Sequence, residues 1–116
     1  GAVIWPQLIG YARAKEMLMT GAMIPASKAV EMGLINYAVP GADLDAQVEK
    51  MITRLKESPI WSVRWTKTVA NIPLRELAHK LMDASVSYEM QTNLQADHRE
   101  AVAAFLEKRK PHFIGD

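Results

Sequence analysis

Residues 24–40 read IPASKAVEMGLINYAVP, and this stretch decides what kind of fold is present. Pro25 suits a helix entrance, because its missing N–H falls where a helix has no internal acceptor to offer. Ala29, Val30 and Met32 then make one short apolar turn, and Gly33 suits the left-handed position that ends a helix. LINYAVP, residues 34–40, is the one credible strand of the chain. It is short, rich in Leu, Ile, Tyr and Val, and bounded by Gly33 and by Pro40-Gly41. One strand cannot make a sheet. The segment 34–39 therefore pairs with a second copy or with residues outside this sequence.

On either side the pattern is helical. Residues 11–20 carry strong helix formers with Ala14, Met17 and Leu18 on one face, and Gly21 stops them. Asp43 suits the N-cap of a helix over 44–57, with Leu44, Val48, Met51, Ile52 and Leu55 along one stripe. Ser58-Pro59 breaks that run. A further helical run covers 60–71 with Trp61, Val63, Trp65 and Val69. Pro73 opens a long helix, Gln95-Ala96 interrupts it, and Asp97-x-x-Glu100 has the form of a capping box for a last helix over 98–109. In that helix Val102, Phe105 and Leu106 are expected to face inward. The expected fold is mostly α, with six to seven helices and one short strand at 34–39.

Composition narrows the functional class. At 116 residues the chain fits one domain, able to bury somewhat over about 60% of its unfolded surface in a modest core. Its net charge of +1 and the lack of a basic stripe with interleaved aromatics argue against nucleic acid. It has no cysteine, which rules out disulfides and thiolate metal sites and fits a reducing, cytoplasmic setting. No apolar run is long enough to span a bilayer. GAVIWPQLIG lacks the basic region of a signal peptide, and a chain that opens at Gly1 in apolar sequence reads as the middle of something longer.

Reacting groups are hard to find. His79, His98 and His112 are far apart in sequence, so surface histidines are a plainer reading than a metal site. Asp83 and Glu89 lie well off one helical face. Ser85 and Ser87 have no neighbouring base. The seven methionines suit core filling, and Trp5, Trp61 and Trp65 suit core or interface positions. The residues alone describe a mostly helical domain without a mechanism. AFLEKRKPHF, residues 104–113, leaves two readings open. Lys108, Arg109 and Lys110 can be helix-end charges that complement the dipole before Pro111, or part of a binding device.

The order of segments adds a resemblance. GAVIWPQLIGYARAKEMLMTG, IPASKAVEMGLINYAVP, SVRWTK and DHREAVAAFLEKRKPHFIG together resemble the C-terminal part of the crotonase superfamily, the enoyl-CoA hydratase/isomerase family. That family shows a glycine pair, a helix ending in L-T-G, A-x-x-A-x-x-x-G-L-V-x-x-V-V-P, a lysine-bearing helix and a terminal A-F-x-E-K-R-x-P-x-F. Thr20-Gly21, Ala26, Ala29, Gly33-Leu34-Ile35, Val39-Pro40, Lys67 and Ala104 to Phe113 stand in those places. Ile4, Gln7 and Met19 depart from the pattern and bear on the subfamily.

The resemblance implies a ClpP/crotonase-like β-spiral followed by a helical region that builds trimers. Gly1 would then be the last glycine of the glycine pair. Residues 1–42 would end the family core and residues 43–116 would form the C-terminal helical oligomerisation region. The partners it implies are an acyl-CoA thioester, the N-terminal half of the same protein and further copies in a trimer or dimer of trimers, with no nucleic acid and no membrane. It implies no cofactor and no metal, CoA being part of the substrate. Family members stabilise an enolate-like state with two backbone N–H groups and move protons with carboxylates, as in hydration of a 2-enoyl-CoA. By resemblance those groups lie upstream of Gly1, none of the eight glutamates matches a catalytic position, and no catalytic residue is assigned. Phe105 and Lys108, three apart and so expected on one helix face, take the family's CoA-binding role at a neighbouring subunit. The alternative is a catalytically inactive helical oligomerisation module.

Overall fold

The computed structural model describes all 116 residues and contains seven α-helices and no β-strand. The helices are α1 (Trp5–Ile9), α2 (Tyr11–Thr20), α3 (Ala26–Met32), α4 (Leu44–Lys56), α5 (Ile60–Ala70), α6 (Ile72–Leu94) and α7 (Ala96–Leu106), with a single 3-10 turn at Gly41–Asp43 before α4. The chain divides into two compact units, Gly1–Ala78 and His79–Asp116, so α6 contributes its first turns to one and the remainder to the other.

The expected breaks fall where the local chemistry puts them. Pro25 is the N-cap of α3, Ser58-Pro59 separates α4 from α5, and Pro73 stands in the first turn of α6. Asp43 precedes α4 as expected, but its side chain makes no capping bond, because the 3-10 turn already holds this entrance through Asp43 N–H to the Pro40 carbonyl at 2.9 Å. Helix α1 was not evident in the sequence: five residues are too few to show a periodicity.

The strand expected at 34–39 is corrected by the structure. These residues bend and then run without regular pairing. Gly33 adopts φ 80°, and the N–H groups of Gly33 and Leu34 turn back to the carbonyls of Val30 and Ala29 at 3.0 and 2.8 Å. This Schellman closure of α3 uses donors that a strand would need, and no second strand is present to pair with the rest. The turn brings the end of α3 against α1, where a Cβ on Gly33 would stand 3.8 Å from the Leu8 carbonyl oxygen.

In the first unit, only Val3, Ile9, Ala14 and Ala29 are buried. Leu44, Val48 and Leu55 of the expected α4 stripe are exposed. Trp61 and Trp65 on α5 stack on each other at 6.0 Å between ring centroids, with Arg64 over Trp61 at 5.2 Å, yet they remain 60% and 59% exposed. In the second unit Ala104 alone is buried. Val102, Phe105 and Leu106 of α7, expected inward, are exposed. The modest core expected from chain length is therefore absent: the helical stripes exist, but this chain supplies nothing to cover them.

The second unit is held by its tail. Residues 107–116 turn back along α7. Asp97 is the second residue of α7 rather than its N-cap, which is Gln95 with no side-chain capping bond. The Asp97 carboxylate instead accepts the N–H groups of Ile114 and Gly115 at 2.8 and 2.9 Å, and the Asp97 N–H donates to the Asp116 carbonyl at 3.3 Å. The capping-box reading fails because these tail amides compete for the carboxylate and win.

Two measurements follow from this architecture. Two separate compact bodies of the units' sizes would expose about 7,500 Å² together, whereas the chain exposes 9726 Å². The excess matches a standard protein–protein interface or more. The isolated chain should associate with itself or with an added N-terminal half, and a clean monomer by sedimentation at high micromolar concentration would contradict this. Asp97→Ala should cost about 1 kcal/mol by releasing the tail. The amides of Ile114 and Gly115 should exchange freely while those inside α7 keep their protection; early loss of the first α7 amides would restore the capping role.

Candidate functional site

The basic end of α7 carries both residues expected to bind CoA. Phe105 is in the last turn of α7 and is 82% exposed. That rules out the core-packing role within this chain and leaves an aromatic face open. Lys108 lies beyond the helix, which ends at Leu106. The two residues therefore do not share a helix face, and the geometric premise for pairing them is corrected.

Lys108 has φ 55°, the one residue other than glycine with positive φ in the chain. Its N–H donates to the Phe105 carbonyl at 3.3 Å, and the Arg109 N–H donates to the Ala104 carbonyl at 3.0 Å. This is the same closure that ends α3, with lysine in the place Gly33 holds there. The left-handed conformation costs a residue bearing a Cβ roughly 1–2 kcal/mol. Strain of this kind persists only where surrounding contacts enforce it.

Those contacts come from Arg109. Its guanidinium forks onto Glu100, with Nη1 donating to Oε1 and Nη2 to Oε2 at 2.9 Å, while Nε donates to Glu107 Oε2 at 2.6 Å. Glu100 also accepts the His112 N–H at 2.8 Å. Its side chain is 24% exposed. The Arg109 hydrogen bonds, aided by the His112 amide, bring the Glu100 carboxyl down from its ordinary 4.5 to about 2. The same carboxylates push the Arg109 guanidinium further up. Glu100 is thus ionised at neutral pH. Arg109, which could have been a simple helix-end charge, is the hub of the tail, and exposed pairs gain weight when bidentate and networked. Lys108 makes no ion pair, and its ammonium extends into solvent.

Elsewhere the chemistry is sparse. No group of three His, Asp or Glu side chains stands close enough to hold a metal. Asp83 and Ser87 border an open apolar groove on α6 with Met82, Val86, Met90 and Leu94, and no base faces them there. On α3, Lys28 donates to Glu31 at 2.8 Å, one turn away, and lowers that carboxyl. No helix is long and apolar enough to cross a membrane.

Comparison with known proteins supplies the frame for this geometry. The profile of the family described as enoyl-CoA hydratase/isomerase matches residues 1–116. An enoyl-CoA isomerase/hydratase of Mycosarcoma maydis is 33% identical over 95% of this chain and 40% of its own length. A crotonyl-CoA hydratase of Syntrophomonas wolfei is 32% identical over 94% of this chain and 42% of its own length. Among solved structures, an enoyl-CoA hydratase subunit I of Geobacillus kaustophilus superposes with a TM-score of 0.57 at 32% identity, covering 96% of this chain and 43% of that one. The chain spans about two fifths of the length of the relatives it matches. The match over the full chain, with the helical architecture shared with those solved structures, establishes that this chain belongs to the enoyl-CoA hydratase/isomerase family, the crotonase superfamily.

Proposed function

We propose that this chain serves as the CoA-binding and oligomer-forming portion of an enoyl-CoA hydratase/isomerase-type enzyme. Residues 1–42 would complete the family core and residues 43–116 would form the helical assembly region. The relatives named above, an enoyl-CoA isomerase/hydratase and a crotonyl-CoA hydratase, share the CoA end of their substrates. A residue that reads the CoA end serves all of them, and this is the role assigned to Lys108, with Phe105 beside it. The observation that carries the reading is Lys108 itself: an unpaired ammonium held beyond the end of α7 on a strained backbone. A mobile ammonium suits phosphate groups, and an open aromatic face suits adenine.

Assembly is supported by the apolar surface left on α4, α5, α6 and α7. Neighbouring copies and the N-terminal half are the partners that would cover it. By the family resemblance, proton transfer and oxyanion stabilisation would belong to that N-terminal half.

In the complete oligomeric enzyme Lys108→Ala should weaken CoA-ester binding by roughly 1 kcal/mol, a charge-assisted contact discounted for exposure. Alanine keeps the Cβ, so the backbone strain is unchanged and the ammonium alone is removed. The loss should shrink at high salt and leave the chemical step nearly unaltered. Unchanged affinity at low salt returns Lys108 to the helix end. A homogeneous sample of this chain alone should not turn over crotonyl-CoA; measurable hydration would place the catalytic groups within these residues.

A further inference from the structure

The residues on either side of Lys108 are tied to each other across it. Glu107 accepts from Arg109 Nε at 2.6 Å, and the other edge of the Arg109 guanidinium is anchored one helix-length back on Glu100. Glu100 in turn takes the His112 N–H at 2.8 Å, which fixes the chain beyond Lys110. Arg109 Nη1 also reaches the Lys110 carbonyl at 3.3 Å. Lys108 is thus the apex of a turn pinned before, after and from behind. Its own side chain takes no part in the pinning.

This arrangement has a directional consequence. A helical residue at 108 would stand above Phe105 on the same face of α7. The left-handed conformation sends the Cα–Cβ bond elsewhere and carries the whole lysine stem with it. Glycine would adopt that conformation freely, as Gly33 does at the end of α3, but would bring no ammonium. A lysine there needs an external brace.

We infer that Glu100, Glu107 and Arg109 are positioning residues: together they hold the left-handed turn at Lys108 and so aim its ammonium at the CoA moiety. The inference rests on the CoA-binding reading of Lys108. It assigns the adjacent arginine no contact with the ligand. Arg109 acts through the backbone of Lys108, and the gain is preorganisation, since less ordering remains to be done when CoA arrives.

A double-substitution cycle in the complete enzyme separates the possibilities, with KM and kcat for crotonyl-CoA and the melting midpoint as readouts. Lys108→Ala and Arg109→Ala should each raise KM about fivefold with kcat nearly constant. The double variant should be no worse than either single one, because Arg109 has no target once the ammonium is gone. Arg109→Lys keeps the charge but cannot fork onto two carboxylates, and should recover only part of the loss. It also serves as the gentler probe if Arg109→Ala lowers the melting midpoint sharply.

Multiplication of the two losses in the double variant would mean that Arg109 attracts CoA directly, and would overturn the brace. So would an Arg109→Ala variant with unchanged KM, or an Arg109→Lys variant equal to the parent. If Lys108→Ala itself has no effect, the CoA reading falls and the brace falls with it. Failure of the brace alone leaves the Lys108→Ala effect standing.

Discussion

Apolar helix faces that nothing in the chain covers set the terms for everything else in this structure. An amphipathic helix is stable in water because its stripe is removed from solvent, and most helical stability comes from that packing rather than from propensity. Here five residues are buried, and the largest of them is isoleucine. Two stacked tryptophans, the leucines of α4, and Phe105 and Leu106 at the end of α7 all face solvent. At roughly 25 cal/mol per Å² the uncovered apolar area is the largest free energy this chain has left to gain. Local order is therefore good while tertiary order is thin.

The second unit shows how order is kept with so little burial. It relies on a short polar circuit in place of a core. Asp97 and Glu100, one turn apart on α7, receive the backbone N–H groups of three tail residues, and Arg109 closes the circuit. Carboxylates that accept several N–H donors are strongly favoured in the charged form. The Arg109 guanidinium and the His112 N–H lower the Glu100 carboxyl in this way. An isolated exposed ion pair is worth little, whereas this one shares both carboxylate oxygens with a forked guanidinium and a main-chain amide. The left-handed lysine is the strained point that the circuit sustains.

Periodicity, proline and glycine were enough to place six of the seven helices, because these act within a few residues and carry their own stereochemical reasons. Pro25, Gly21 and Gly33 stand at the boundaries their chemistry predicts. The family was legible too, since its motifs are local strings. The strand at 34–39 was misread because β-propensity has no meaning without a partner to pair with. Phe105 was expected inward because a stripe tells which face is apolar, not whether anything lies against it. Asp97 and Glu100 were read as a capping box because the spacing is right. Their true partners stand nine to eighteen residues away, a distance at which no local signal survives. The left-handed turn at Lys108 was hidden for the same reason, lysine being a residue that local preference keeps out of that conformation. Sequence determined where helices start and stop. Tertiary structure alone decided which charges meet and which apolar faces stay open, because both depend on where a distant part of the chain returns.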